Sequence, residues 1–315
     1  LRHSATVRRW RSVDLRRLMA GFKNLREWVD ADDAGQYHIT QFRKAASATA
    51  TTTSAWTDYS YYAGSPPANF YASSPLEAAE VDSDRGIYVP TVSPAKQYLR
   101  NLKLMSAASA AASTANGRQQ IILADILMYY PFIDTDAVGE QQDLTTSLTL
   151  PRYDHARVIA VGQSAAATAG TFTFTYTNQD GTTGRVSQIH NTFAVGAGGQ
   201  VVASSVGSAA SYHPYCSLAA GDYGVKSIQS VTFTAGGGGL MCLVLVRPLM
   251  TAYITQECRR DATPISFGAC DEFASIINQA PPQIIDGARL GLFACGHAGS
   301  LASSTLVGLL ETTWN

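Results

Sequence analysis

Charged side chains are scarce in this sequence. Asp, Glu, Lys and Arg make up 15% of its 315 residues, against about 25% in a typical soluble domain. The formal net charge is −1, which argues against a chain that binds nucleic acid along its whole length. A surface that is poor in charge without being strongly apolar is typical of a protein that buries part of it in an assembly. The composition therefore favours an assembly subunit.

Long apolar runs and paired cysteines are also lacking. The most apolar run, Leu240 to Val246, ends at Arg247-Pro248, well short of the roughly eighteen residues that a membrane span needs. No membrane span is predicted, and no secretion signal is recognisable. The cysteines have no Cys-x-x-Cys spacing, which excludes a small disulfide-bonded scaffold and predicts buried, reduced thiols. They are Cys216, Cys242, Cys258, Cys270 and Cys295.

The motifs of common catalytic sites are missing as well. The sequence contains no Gly-x-Ser-x-Gly, His-Glu-x-x-His or Gly-x-x-x-x-Gly-Lys motif. Asp154-His155, and Asp143 with Ser147, supply the residue types of a catalytic triad, but nothing in their spacing fixes the required geometry. We therefore predict no catalytic residue and no cofactor, and we do not expect an enzyme.

Two short segments resemble fragments of metal sites. Asp134 and Asp136 are spaced like the start of a calcium-binding loop, but Val138 and Thr145 stand where oxygen ligands are required. A turn or strand cap is the favoured interpretation. Cys295-Gly-His297 could hold half of a zinc site, but no second cluster supplies the other half. No metal site is predicted.

The basic residues are concentrated at the start of the chain. Residues 1–44 hold ten Lys or Arg and five Asp or Glu, which leaves thirteen basic and nineteen acidic residues in the remainder. A basic leader can touch a phosphate backbone or an acidic neighbour. Because Trp10 is the one large aromatic residue among its arginines, we expect only a weak contact with nucleic acid. An alternative is that Met19 is the natural start. The arginines are Arg2, Arg8, Arg9, Arg11, Arg16 and Arg17.

An amphipathic helix is predicted from about Ser12 to Asp30, with Gly35 closing it. Its apolar residues recur at steps of three and four, which places them on one helix face. They are Leu15, Leu18, Phe22, Leu25 and Val29. We expect this face to pack on the sheet of the same chain or on a neighbouring subunit. A short strand from His38 to Phe42 follows, and the run from Ala45 to Ala55 is predicted to be a linker.

Tyrosine and proline are dense in the next segment. Prolines at this density favour irregular backbone, and aromatic rings with polar tips are enriched at protein interfaces. We predict an extended arm laid over another subunit, with a sugar-binding platform as the alternative. Its aromatic residues run from Trp56 to Tyr88. The residues predicted to lie at an interface are Phe22, Leu25, Trp56, Tyr59, Tyr61, Tyr62, Phe70 and Tyr71.

Strands are predicted from Tyr98 onward. In Thr171 to Thr177, aromatic residues alternate with threonines and Asp180-Gly181 supplies a turn, which is typical of a hairpin. Gln120 to Phe132 fits either a buried strand or a short helix. The glycines Gly236 to Gly239 are expected to connect two strands. Further strands are predicted at Val158 to Val161, Ser227 to Thr234, Leu240 to Val246, Arg289 to Ala294 and Leu306 to Thr312.

These elements predict a mainly β fold, with an antiparallel β-sandwich or jelly-roll-like body, an N-terminal helix and an extended arm. Residues 1–55 are expected to hold the basic leader, the helix and the linker. Residues 56–118 are expected to hold the arm and the first strands, and residues 119–315 the β-sandwich body.

Several segments spread along the chain resemble a known protein family. They are Met19 to Trp28, Asn69 to Leu76, Val92 to Pro94, Leu127 to Asp134, Gln188 to Asn191, Ala219 to Val231 and Leu310 to Asn315. From Met19 to Asn315 the sequence resembles uncharacterised structural proteins encoded in the virion modules of tailed bacteriophages and prophages. The family pattern does not require the basic leader before Met19.

The resemblance implies a structural protein of the virion. The expected partners are copies of the same chain, forming a homo-oligomer, and other virion proteins such as the major capsid protein; no membrane partner is expected. A head-associated role, as capsid decoration or minor capsid protein, is favoured because the low charge, the arm and the helix offer contacts to several neighbours. The alternatives are a tail, head–tail junction or fibre component that contacts the host and, more remotely, a virion-associated hydrolase.

Overall fold

A computed structural model of the chain describes residues 21–46, 55–108, 119–204, 213–254, 256–260, 263–273, 281–296 and 301–315. Strands account for 50% of the chain, and a single short helix lies near the N-terminus of the described part. The strand ladders are antiparallel. The prediction of a mainly β, antiparallel fold is therefore confirmed.

The elements are numbered here in chain order. The helix is α1 (Leu25–Asp33), and a 3₁₀ turn covers Tyr59–Tyr61. The strands are β1 (Tyr37–Ala45), β2 (Trp56–Asp58), β3 (Gly64–Ser65), β4 (Gln97–Ala108), β5 (Gln119–Asp134), β6 (Gln141–Asp143), β7 (Arg157–Gly162), β8 (Thr171–Asn178), β9 (Arg185–Val186), β10 (His190–Thr192), β11 (Ala203–Ser204), β12 (Val225–Ala235), β13 (Leu240–Ile254), β14 (Gln256–Arg260), β15 (Thr263–Phe273), β16 (Gln283–Ile284), β17 (Leu290–Gly296) and β18 (Thr305–Trp314).

The strands form three sheets, one of which curls into a half-barrel. A seven-stranded sheet has the order β14-β15-β4-β18-β1-β3, with β16 beside β4. A six-stranded sheet has the order β11-β10-β8-β12-β6, with β9 beside β8, and a five-stranded sheet has the order β2-β17-β5-β13-β7. Because β18 pairs with both β1 and β4, strands from all three predicted segments share the seven-stranded sheet.

The five-stranded sheet lies at the centre, and its long strand β5 is covered on both faces. One face of β5 contributes Leu123 to the core under the seven-stranded sheet and Tyr130 to the core under the six-stranded sheet. The opposite face packs Ile122 and Ile126 with Trp56 in a third core. A strand buried on both faces is apolar at nearly every position. This burial explains why periodicity alone left Gln120 to Phe132 undecided between strand and helix.

The predicted hairpin is confirmed. Phe172, Phe174 and Tyr176 of β8 are buried in the core against the five-stranded sheet, while the threonines between them are half-buried. β9 pairs with β8 after a turn in which the Gly181 N–H donates to the Asn178 carbonyl at 3.0 Å. Gly181 has a φ of +84°, a conformation that glycine adopts without strain. The glycine run 236–239 connects β12 to β13, as predicted.

The prediction of one helix from Ser12 to Asp30 is corrected for residues 21–24, which are not helical, and its first part up to residue 20 lies outside the described residues. The observed helix begins at Leu25, because the Asn24 side chain accepts a hydrogen bond from the Glu27 N–H at 3.0 Å and caps the first turn. The Glu27 carboxylate in turn accepts from the Lys23 N–H at 2.8 Å. The helix ends at Asp33, and Gly35 follows it with a φ of +70°.

Some predicted features lie outside the described residues. They are the leader arginines with Leu15 and Leu18, residues 47–54 of the predicted linker, and His297. The side chains of Cys258 and Cys270 also lie outside the description. Within the described ranges, no helix is long and apolar enough to cross a membrane.

Candidate interaction surfaces

The aromatic segment that follows residue 55 is built into the core of the chain. Trp56 in β2 is 1% exposed, Tyr59 and Tyr71 are 0% exposed, and Tyr62 is 8% exposed. A ring without exposed surface cannot contact another subunit or stack on a sugar. The expectation of an extended arm in which Trp56, Tyr59, Tyr62 and Tyr71 face a partner is therefore corrected, because the chain itself covers these rings.

Two of the buried hydroxyl groups bond to residues elsewhere in the fold. The Tyr59 hydroxyl lies 2.5 Å from the Ser304 hydroxyl, and the Tyr71 hydroxyl donates to the Asp58 carboxylate. Burial raises the pKa of Tyr59 to about 12 and the pKa of Tyr71 well above its usual value. Both phenols therefore stay neutral at physiological pH, and a buried tyrosine with a bonded hydroxyl is stable in a core.

Tyr61 fastens the same segment to the residue that follows β7, and Tyr62 fastens it to the connection between β10 and β11. The Tyr61 hydroxyl donates to the Gln163 carbonyl at 2.9 Å, and the Tyr62 hydroxyl donates to the Gly198 carbonyl at 2.9 Å. A Cβ atom at Gly199 would lie 2.8 Å from the Tyr62 ring, and Gly199 has a φ of +87°. Glycine is therefore required where the two rings meet this connection.

A lysine and an aspartate are buried where β1 crosses this segment. Lys44 is 2% exposed, and its ammonium donates to the carbonyls of Ser60, Pro66 and Pro67 at 3.4, 3.0 and 3.2 Å. Burial lowers the pKa of Lys44 to about 8, and burial raises the pKa of Asp58 to about 6. Three backbone carbonyls hold the Lys44 ammonium in place. The buried Lys44 and Asp58 therefore position the aromatic segment and are not exposed to a substrate.

Lys44 gives a testable pH dependence. Replacing it with methionine (Lys44→Met) removes the cost of burying an ammonium. This cost is fully present below pH 8 and disappears as pH rises toward 10.5, the pKa of the lysine in the unfolded chain. We expect the difference in unfolding free energy between this variant and the unchanged chain to shift by about 2 kcal/mol between pH 8 and 10, in favour of the unchanged chain. Urea denaturation at a series of pH values measures it.

The exposed neighbour Arg43 provides the control for that experiment. Arg43→Met is expected to leave the pH dependence of stability unchanged, because the Arg43 side chain is exposed and loses little hydration on folding. Cysteine thiols lose their protons in this range in the unfolded chain but not when buried in the folded chain, which lowers stability as pH rises. The difference between two chains is measured because it removes this opposite contribution. Parallel stability curves for Lys44→Met and the unchanged chain would contradict a buried charged lysine.

Three of the predicted interface residues keep exposed surface or lie outside the main cores. Leu25 on α1 and Phe70 are each 53% exposed. Phe22 is half-buried, with its ring 4.7 Å from the ring of Trp28 and 5.6 Å from that of Tyr98. Leu25 and Phe70 are therefore available to a partner, whereas Phe22 anchors the start of α1.

The residue types of a catalytic triad bond to other partners. The Ser147 hydroxyl donates to the Glu77 carboxylate at 3.3 Å, and Asp143 accepts a hydrogen bond from a neighbouring glutamine. The His155 ring nitrogen Nε2 lies 3.1 Å from the Tyr153 hydroxyl. Each side chain thus has a partner other than the one that a triad requires.

The acidic pair after β5 forms a turn. Asp134 accepts a hydrogen bond from the Asp136 N–H at 2.8 Å, and Asp136 accepts from the Gly238 N–H at 2.8 Å. The two carboxylates thus tie the end of β5 to the loop before β13, and the interpretation as a turn is confirmed. In the part of the chain that the structure describes, no group of three His, Cys, Asp or Glu side chains could hold a metal ion.

Three cysteines occupy the interior, as expected. Cys216, Cys242 and Cys295 are buried free thiols. Burial raises the pKa of Cys216 to about 12 and that of Cys295 to about 11, and it raises the pKa of Cys242 well above its usual value. Thiols held in this form are poor nucleophiles and poor metal ligands at neutral pH.

Four exposed apolar side chains lie on α1 and β1. Leu25 and Val29 on α1, and Tyr37 and Ile39 on β1, are 53%, 40%, 43% and 48% exposed. We call these four residues the N-terminal apolar surface. Sequence analysis placed Leu25 and Val29 on an apolar helix face but missed Tyr37 and Ile39, whose exposure depends on the position of β1 near a sheet edge, which strand periodicity does not reveal. Comparisons of the chain with protein-family models, curated proteins and solved structures find no match.

Proposed function

We propose that this chain is a structural subunit of a tailed-bacteriophage particle that acts by packing against copies of itself and against other virion proteins. Within the particle, we propose a head-associated position, as a capsid decoration or minor capsid protein. The partner class in the head is the major capsid protein, and the localisation is the virion.

The resemblance of the segments between Met19 and Asn315 to virion-module proteins supports a place in a bacteriophage particle. The low charge supports packing against other proteins as the mode of action, since 15% charged residues leave much of the surface uncharged. Uncharged surface is easier to bury against a neighbour, because few ions have to be desolvated. Both observations support a subunit that is stable when neighbours cover it.

The N-terminal apolar surface carries the proposal. Scattered exposed apolar residues are common on soluble proteins, but these four fall within residues 25–39, on one helix and the strand that follows it. Exposed apolar side chains on two successive elements support a contact with another protein. They provide a contact that the buried aromatic segment does not.

Counting copies in purified particles tests the proposal. The chain should co-purify with particles, and its amount relative to the major capsid protein should be measured by quantitative mass spectrometry with labelled peptides. We expect on the order of hundreds of copies, as the lattice symmetry of a head requires. About six or twelve copies would place the chain in the tail or at the head–tail junction, and absence from washed particles would overturn the virion assignment.

A further inference from the structure

The backbone of β1 presents alternate residues to its two sides. On one side, the Trp314 N–H donates to the Gln36 carbonyl and the Ala46 N–H donates to the Ser304 carbonyl, at 3.2 and 2.8 Å. In an antiparallel ladder, residues two apart point their N–H and C=O groups to the same side. The even-numbered residues 36–46 therefore bond to β18, and the odd-numbered residues point away from the sheet.

Only part of this outward side is covered. Arg43 pairs with β3, and the Ala45 N–H donates to the Ala63 carbonyl at 3.1 Å. Within the residues that the structure describes, the outward N–H and C=O groups of Tyr37, Ile39 and Gln41 have no hydrogen-bond partner. Among the described residues, the seven-stranded sheet thus has an open edge at residues 37–41, which we call the β1 edge.

The β1 edge lacks the charge, proline or bulge that protects many free strands. Natural edges carry lysine or other charges, proline or a bulge that prevents pairing with another chain. Residues 37–41 are Tyr, His, Ile, Thr and Gln, and the ladder with β18 is regular along them. Tyr37 and Ile39 are 43% and 48% exposed. An open, regular and uncharged edge is a template for an added strand.

We propose that two copies of this chain join through their β1 edges, with a two-fold axis at Ile39. In this register Ile39 lies opposite Ile39 of the second copy, and Tyr37 lies opposite Gln41. Each of the three outward residues offers one donor and one acceptor, and the register pairs every one of them across the axis. The inference rests on the part of the proposed function in which copies of the chain pack together.

The edge itself favours a second copy as the occupant. In an antiparallel pair centred on Ile39, residues 37, 39 and 41 of one copy lie opposite residues 41, 39 and 37 of the other. Opposite residues point their side chains to the same face, so the exposed faces of both sheets lie on the same side. No like charges are brought together, since the five residues carry no Lys, Arg, Asp or Glu. The edge is bounded by α1 at one end and by β3 at the other. A strand of the same short length therefore matches it in length.

A matched pair of lysine variants tests the contact. Ile39→Lys places two ammonium groups opposite each other on the axis, whereas Met105→Lys places a lysine on the same sheet in β4, which pairs on both sides. Ile39 and Met105 are 48% and 49% exposed. We expect the unchanged chain and Met105→Lys to dimerise in analytical ultracentrifugation, and Ile39→Lys to raise the dimer dissociation constant by at least about tenfold.

A cysteine variant tests the register. Residues directly opposite in a hydrogen-bonded antiparallel pair have Cα atoms about 5.5 Å apart, within the range of a disulfide. Ile39→Cys is therefore expected to form a covalent dimer under mild oxidation, while Met105→Cys and the unchanged chain stay monomeric on a denaturing gel. Circular dichroism and thermal unfolding confirm that each variant is folded before it is scored.

The outcomes separate this inference from the proposed function. A monomeric unchanged chain at every concentration, a dimer that Ile39→Lys leaves intact, or equal cross-linking of Ile39→Cys and Met105→Cys each overturns pairing at the β1 edge. Absence of the chain from particles overturns the virion assignment and leaves the dimer measured in solution intact. A dimer with the expected variant pattern supports the inference.

Discussion

Replacing Tyr71 by alanine is expected to lower the free energy of unfolding by about 3–5 kcal/mol, whereas the same change at Phe70 is expected to lower it by less than about 1 kcal/mol. Tyr71 is 0% exposed and Phe70 is 53% exposed. The Tyr71 ring lies 5.1 Å from that of Tyr129, so its removal leaves a cavity. It also removes the hydroxyl that donates to the buried Asp58 carboxylate, which adds the cost of an unpaired polar group.

Phe70 is a close control because it is the preceding residue, is also aromatic and makes one ring contact, with Tyr61 at 5.2 Å. Urea denaturation of both alanine variants gives the two free energies, and unchanged m-values show that the same surface unfolds in each. Equal stability of the two variants would contradict the buried placement of Tyr71 and return the segment to the role of an exposed arm.

The strands were predictable wherever one side of a strand faces the core and the other side does not. Phe172, Phe174 and Tyr176 alternate with threonines, and this alternation follows from a strand whose two faces differ in burial. β5 gave no such signal because both of its faces are buried. For β5, the sequence predicted burial but could not predict the type of element.

The placement of the aromatic segment could not be predicted, because its partners are remote in the sequence. Tyr59 bonds to Ser304, and Tyr61 bonds to the carbonyl of Gln163. The same composition, rings with polar tips among prolines, suits an interface with another chain equally well. Local sequence therefore indicates that these rings need a packed surface, and only the tertiary fold decides that the surface belongs to the same chain.

The β1 edge was unpredictable for a related reason. Tyr37 to Gln41 has the composition of an ordinary half-buried strand, and the order of strands in a sheet depends on pairing between distant segments such as β1 and β18. Whether a strand ends up inside a sheet or at its edge is thus a property of the whole topology. A contact that uses free backbone groups leaves no residue pattern of its own.

Acidification from pH 6.5 to pH 4 is expected to remove about 3 kcal/mol of stability through a single side chain, His190. His190 in β10 is 0% exposed, its ring stacks on that of Phe174 at 5.4 Å, and its Nε2 accepts a hydrogen bond from the Ser217 N–H at 3.0 Å. Burial lowers the pKa of His190 to about 4. Between about pH 6.5 and pH 4, His190 is therefore protonated in the unfolded chain but neutral in the folded chain.

The expected shift has to be measured against a variant, because Asp58 acts in the opposite direction over part of the same range. The pKa of Asp58 is raised to about 6 by burial, so the folded chain takes up this proton before the unfolded chain does, and acidification toward pH 3.8 favours folding. The difference in unfolding free energy between the unchanged chain and His190→Gln removes the contribution of Asp58. That difference should move by about 3 kcal/mol against the unchanged chain between pH 6.5 and 4.

Replacing the exposed His213 by Gln is the control, and it should leave the pH dependence of the unfolding free energy unchanged. A stability curve of His190→Gln that runs parallel to that of the unchanged chain would show that His190 is solvated in the folded state.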